Sequence, residues 1–151
     1  MVISSYRRTS RLKINHIKHI KIMNIIEKIE ELNINISSEF QDFLDSGADC
    51  VSDYAHEYAD SSADVIYYAK AESLYSRTSS EQRDQAEQSV EDSGGFGEVK
   101  TMANRFVQLA YWITYNEVSQ ELYTELQLVI EEIEQLDDDQ DELTEALEAL
   151  V

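Results

Sequence analysis

The feature that most constrains the fold of this chain is the complete lack of proline over 151 residues, together with only four glycines. Proline breaks the interior of a helix and glycine weakens it, so this chain has few enforced helix stops. Hydrophobic residues recur at helical spacing along most of the sequence. We therefore predict an all-α protein, a single compact helical domain over residues 23–151 with a long C-terminal amphipathic helix.

Residues 1–22 differ in charge from the rest of the chain. They contain six Lys and Arg and no acid, whereas the remaining residues hold the other six bases and all 31 acids. The segment lacks the apolar core of a signal peptide. We interpret Met23 as the true start and the basic leader as disordered or as an upstream extension of the reading frame. A basic arm that folds onto the acidic body is the alternative.

Several helix boundaries can be placed from capping residues. Serine favours the N-cap position, the Thr78 and Glu81 pair has capping-box spacing, and glycine favours the residue that follows a helix. The first predicted helix covers about 24–33, and the next starts after Ser37 or Ser38. Another runs from Thr78 to about Asp92 and stops at Gly94 and Gly95. The last predicted helix runs from near Thr101 through Leu136.

A ladder of acids runs along the segment that follows Ser38. If the segment is helical, its seven acids lie within an arc of roughly 120°, and they gain nothing for the fold because like charges at this spacing repel. A break at Gly47 or at residues 60–62 would leave only short acidic faces. The face opposite the ladder, which includes Leu44, Val51, Tyr54, Ala55, Tyr58, Val65 and Ile66, is predicted to pack inward. The ladder acids are Asp42, Asp45, Asp49, Asp53, Glu57, Asp60 and Asp64.

The C-terminal part of the chain has a heptad-like apolar pattern from Leu122 to Leu150. Its partner helix belongs either to the same chain or to a second copy. We predict self-association as a homodimer, with the seam centred on Leu126, Val129 and Ile133 and continued by Leu136 and Leu143.

Charge and composition restrict the possible functions. A formal net charge of −19 disfavours nucleic acid and anionic membranes as direct ligands and favours basic protein surfaces. No apolar run is long enough to span a membrane, and the lone Cys50 excludes an internal disulfide. His56 is predicted to be a surface histidine, and no nucleophile and base can be assembled around it. We therefore predict a cytoplasmic protein that is no enzyme and holds no cofactor or metal.

Binding through negative charge is the function that remains. Acids three or four residues apart on a helix are separated by about 4.5–6 Å of rise, a scale close to the phosphate repeat of DNA. A basic channel built for DNA would accept such a surface. The predicted contact acids are the seven ladder acids together with Glu117 and Glu121.

Two segments and the acidic C-terminal tail resemble phage-encoded Ocr-type anti-restriction proteins. The segments are HEYADSSADVIYYA, from His56 to Ala69, and YWITYNE, from Tyr111 to Glu117. The resemblance implies a small, acidic, helical dimer that mimics DNA and blocks restriction or related defence complexes, a character shared by small phage anti-CRISPR proteins. The glycine-containing loop and the basic leader depart from that family. The alternative function is a helical interaction or regulatory protein that binds a partner helix through its heptad seam.

Overall fold

The computed structural model describes residues 25–95, 102–136 and 140–151 of the chain. Within these ranges the chain forms eight helices and no strand, which confirms the all-α prediction. None of the described helices combines the length and hydropathy that a membrane crossing requires. The basic leader of residues 1–22 lies outside the described residues. The helices are α1 (25–31), α2 (Ser38–Asp45), α3 (Val51–Ser61), α4 (Ala63–Ile66), α5 (Tyr68–Arg77), α6 (Ser80–Asp92), α7 (Met102–Glu134) and α8 (Asp141–Glu148).

The chain divides into two compact units, a division that hydrophobic periodicity alone did not indicate. The first unit comprises Met1–Val51 and Leu122–Val151, and the second comprises Ser52–Glu121. The 33-residue helix α7 is the predicted long amphipathic helix, and it contributes residues to both units. The first unit is therefore assembled from segments that flank the second unit in sequence.

The ladder segment is broken at both of the positions where a break was considered. Helix α2 ends at Asp45, where the Ser46 hydroxyl donates to the Phe43 carbonyl at 2.6 Å, and Gly47 follows with a φ of 73°. Helix α3 ends at Ser61, and the extended backbone of Ser62 precedes the short helix α4. The seven acids therefore lie on three helices and a connecting segment. The condition for a shared arc, one continuous helix, is not met, and short acidic faces remain, as expected for a break at either position.

The apolar face opposite the ladder is buried only in part. Leu44, Val51 and Ala55 are buried, as is Val65. Ile66, in contrast, is exposed, because α4 has only one turn and directs only Val65 into the core. Of the two tyrosines predicted on the same face, Tyr58 is exposed and Tyr54 is half-buried.

Every described helix of the first unit buries apolar side chains. A backbone hydrogen bond of 2.8 Å from the Val51 N–H to the Leu150 carbonyl also joins the start of α3 to the residues that follow α8. The buried side chains are Ile25 and Ile29 on α1, Phe40, Phe43 and Leu44 on α2, Leu122, Leu126, Val129, Ile130 and Ile133 on α7, and Leu143 and Leu147 on α8.

The predicted self-association seam is largely covered within the single chain. Leu126, Val129, Ile133 and Leu143 are buried, and only Leu136 of the five is exposed. The heptad pattern also does not run along one helix, because α7 ends at Glu134 and α8 begins at Asp141. The intramolecular alternative thus accounts for these apolar positions, since a second copy could reach the four buried residues only if the unit opened.

Glu125 is an acid of α7 with a specific structural role in the first unit. One carboxylate oxygen accepts the Ser37 backbone N–H at 2.7 Å, and the other accepts the Ser37 hydroxyl. The Ser37 hydroxyl in turn accepts the Phe40 N–H at 3.1 Å and caps α2, as the sequence predicted. Glu125 therefore fixes the start of α2 on α7.

We expect Glu125→Ala to lower the free energy of unfolding by about 1–3 kcal/mol, because it removes a charge-assisted acceptor from a partly buried N–H. The matched control is Glu132→Ala, an exposed acid one heptad further along the same helix, which should change stability by less than about 0.5 kcal/mol. Urea denaturation of both variants measures the difference. Equal, small losses in the two variants would contradict the capping role.

The second unit is held by two buried clusters that share a neighbour. Leu74 of α5 packs against both of them. One cluster joins α6 to α7 and the other joins α4, α5 and α7. Their buried members are Ala86, Val90, Leu109 and Ile113 in the first cluster and Val65, Ala71 and Ala110 in the second.

The predicted start of the helix after Thr78 is displaced by one residue. Ser79 caps α6, since its hydroxyl accepts the Gln82 N–H at 3.2 Å. Thr78 instead closes α5, because its hydroxyl donates to the Leu74 carbonyl at 2.6 Å. The prediction did not allow for a preceding helix that uses Thr78. The predicted end of α6 is confirmed, since the helix stops at Asp92 and Gly94 and Gly95 both have positive φ.

Candidate functional site

Three of the predicted contact acids form a row along α3, which we name the α3 stripe. Asp53, Glu57 and Asp60 are exposed and, at about 100° per residue, lie within an arc of roughly 60°. The side chains on the opposite face of α3 have no exposed surface, and they are Val51, Ala55 and Ala59. Burial of that face fixes the rotation of α3, so the three carboxylates are held outward as a row about 10 Å long.

The other predicted acids are distributed over several elements. Asp42 and Asp45 are exposed on α2, and Asp49 is exposed in the segment between α2 and α3. Asp64 lies half-buried on α4, where its carboxylate is 3.6 Å from the Arg77 guanidinium. Glu117 and Glu121 are exposed one turn apart on α7. The α3 stripe is therefore the largest part of the ladder that lies on a single helix.

Acids outnumber bases in the second unit, and several of the bases are occupied within the unit. Arg83 donates to the Tyr75 and Ser76 carbonyls at 2.8 and 2.6 Å, while the Lys70 ammonium lies 5.7 Å from the centre of the Tyr67 ring. The described bases of this unit are Lys70, Arg77, Arg83 and Arg105, against Asp53, Glu57, Asp60, Asp64, Glu72, Glu81, Asp84, Glu87, Glu91, Asp92, Glu117 and Glu121. The unit thus keeps a net negative surface.

The imbalance is larger in the first unit. Its described residues contain fifteen acids and a single base, Lys28, and all of the acids except Glu125 are exposed. Within these described ranges, ion pairs with Lys or Arg can therefore neutralise only a small part of the negative charge. The exposed acids are Glu27, Glu30, Glu31, Glu39, Asp42, Asp45, Asp49, Glu131, Glu132, Glu134, Asp141, Glu142, Glu145 and Glu148.

His56 is half-buried in an aromatic cluster on the flank of α3, so the prediction of a surface histidine is wrong. Its Nδ1 shares a hydrogen bond with the Tyr111 hydroxyl, and its ring stacks on the Tyr115 ring with centroids 4.3 Å apart. Trp112 meets the His56 ring edge-on, and the Ser52 hydroxyl lies 2.9 Å from the Tyr115 hydroxyl. These contacts attach α3 to α7 beside the buried face and so orient the α3 stripe.

Tyr111 stays protonated in this cluster at neutral pH. Burial and, to a smaller extent, electrostatic interactions with Asp60 and Tyr115 raise the pKa of Tyr111 above its ordinary value of 10.0. The sequence signals for the cluster were the one-turn spacing of Ser52 and His56 and the matching spacing of Tyr111 and Tyr115. Neither spacing alone indicates that α3 and α7 pack against each other through these residues.

Among the residues that the structure describes, no three His, Cys, Asp or Glu side chains are grouped so that they could hold a metal ion. Searches against protein-family models, curated proteins and solved structures gave no match to this chain.

Proposed function

We propose that this chain is an anti-defence inhibitor of a phage or mobile element. It binds the DNA-binding surface of a host restriction or CRISPR complex in the bacterial cytoplasm and presents carboxylates where that surface expects phosphates. The observation that carries the proposal is the α3 stripe, in which exposed acids follow one another at rises of about 4.5–6 Å opposite a fully buried face. A fixed row of this kind loses little conformational entropy when it meets a basic groove.

The charge balance of the described residues supports the same function. Long-range attraction between an acidic protein and a basic groove accelerates their encounter, and the effect weakens as salt rises. Self-repulsion among exposed acids costs stability and contributes nothing to the core, so it is explained by a partner that supplies the missing positive charge.

The alternative of a partner helix bound at the heptad seam receives less support. Such a partner needs an exposed apolar groove, and the central seam residues Leu126, Val129 and Ile133 are buried within the chain. The acids, in contrast, remain available on the surface. We therefore favour recognition through charge over recognition through the seam.

Inhibition assays with purified restriction complexes and CRISPR effector nucleases test the proposal. We expect the protein to inhibit DNA cleavage by at least one of them, in competition with the DNA substrate and more weakly as salt is raised above about 0.1 M. A synthetic peptide of residues 42–64 is the control, because it carries the ladder acids without the fixed helices. Inhibition that does not respond to DNA concentration, or equal inhibition by the peptide, would contradict mimicry by a folded surface.

A further inference from the structure

Three consecutive large side chains lie on the surface of the second unit where α4 meets α5. Ile66, Tyr67 and Tyr68 are 55%, 59% and 42% exposed, and we name them the tyrosine patch. The extended backbone of Tyr67, with φ −101° and ψ 121°, separates the two helices at this point. The Tyr68 ring lies 6.1 Å from the Phe106 ring between centroids, whereas more than half of the surface of Ile66 and Tyr67 faces solvent. Aromatic residues are enriched at binding interfaces.

Carboxylates lie next to the patch. Tyr68 and Glu72 are both exposed and lie one turn apart on α5, and interaction with the Glu72 carboxylate raises the pKa of Tyr68 above its ordinary value. Asp64 precedes the patch on α4 and pairs with Arg77. An incoming cation at Tyr68 would therefore meet an aromatic ring and a carboxylate at once.

The second unit already places its own cations on tyrosine rings. The Arg83 guanidinium carbon lies 4.8 Å from the centre of the Tyr75 ring, and Lys70 lies over Tyr67. These contacts show that the rings of this unit are accessible to positive charge. Arginine is the better ligand for such a position, because its planar guanidinium stacks on a ring and can still donate two hydrogen bonds to a carboxylate.

We infer that the tyrosine patch is a binding site for arginine side chains on the basic surface of the partner protein. The inference rests on the proposed function and adds to it the chemistry of the partner, which must present exposed arginines in addition to overall positive charge. Asp64 and Glu72 near the patch are balanced by Lys70 and Arg77, so charge complementarity acts at the scale of the unit. Its described residues contain twelve acids and four bases, which favours a basic partner over a second copy of the chain. Proteins that bind unpaired nucleic acid stack bases on arginine, and the tyrosine rings can take the place of such bases.

Binding of an oligo-arginine peptide and an oligo-lysine peptide of equal length tests the inference. The quantity to compare is the arginine preference, which is the ratio of the two dissociation constants at about 0.1 M salt. We expect Tyr67→Leu with Tyr68→Leu to lower the preference by about four- to twenty-fivefold, since each ring contributes roughly two- to fivefold. Tyr67→Phe with Tyr68→Phe keeps both rings and should retain most of the preference.

The control is Tyr123→Leu, which removes a tyrosine that is 37% exposed in the first unit and should leave the preference unchanged. Circular dichroism and thermal unfolding establish that each variant is folded. An unchanged preference in the folded double leucine variant would overturn the inference. Failure of the proposed function is a separate result: the protein would not inhibit the nucleases, regardless of its arginine preference in the peptide assay.

Discussion

Replacing the α3 stripe by amides, with Asp53→Asn, Glu57→Gln and Asp60→Asn together, should weaken inhibition of a sensitive defence complex by about 10- to 100-fold. Each substitution removes one charge and keeps the shape of the side chain. All three side chains are exposed, so the folded state loses no buried contact, and relief of repulsion within the helix should leave stability equal or slightly higher. Inhibition curves and thermal unfolding measure the two effects.

A second triple variant separates the position of the charges from their number. Asp84→Asn, Glu87→Gln and Glu91→Gln remove the same charge from exposed positions of α6 in the same unit. If the α3 stripe is the contact surface, this variant should inhibit nearly as well as the parent. If both triple variants inhibit the complex equally weakly, only the total charge matters. If the α3 variant inhibits as strongly as the parent, the acids of the α3 stripe only interact with solvent.

The other large effect is expected in the core of the first unit. Leu126→Ala should lower the free energy of unfolding by about 2–5 kcal/mol, because the side chain is 1% exposed and its removal leaves a cavity. Leu128→Ala is the matched control, since the same substitution two residues away on α7 affects a side chain that is 58% exposed. Its effect should be below about 0.5 kcal/mol. Urea denaturation gives both values.

The same pair of variants distinguishes the two roles considered for the seam. If Leu126 is covered within its own chain, the destabilisation should be independent of protein concentration. An unfolding midpoint that rises with protein concentration in the parent and loses this dependence in Leu126→Ala would assign the residue to a dimer interface. Sedimentation of the parent provides the direct measure of its oligomeric state.

The sequence predicted those features that depend on local chemistry. The helical content follows from the absence of proline, the Ser37 cap follows from its side chain, and the end of α6 follows from two glycines that adopt positive φ. The α3 stripe could also be predicted, because charged and small residues alternate around a single helix of constant period.

The features that depend on tertiary contacts could not be predicted in the same way. The contact of His56 with Tyr111 and Tyr115 joins residues more than fifty positions apart. Ser37 and Glu125 are separated by 88 positions, and nothing in the surrounding sequence distinguishes this acid from its exposed neighbours. The two breaks in the ladder were recognisable as weak points, but their occurrence together is decided by packing on either side.

The α3 stripe also affects how relatives of this protein are to be found. If the proposed function holds, an outward carboxylate that meets a basic surface mainly constrains the sign of the charge, so aspartate and glutamate can exchange at each position. The opposite face requires only small apolar side chains such as Ala55 and Ala59. Homologous sequences can therefore diverge at these positions and still present the same negative charge. Relatives should be sought by the order of helices and the periodicity of acids, with residue-by-residue similarity as a secondary criterion.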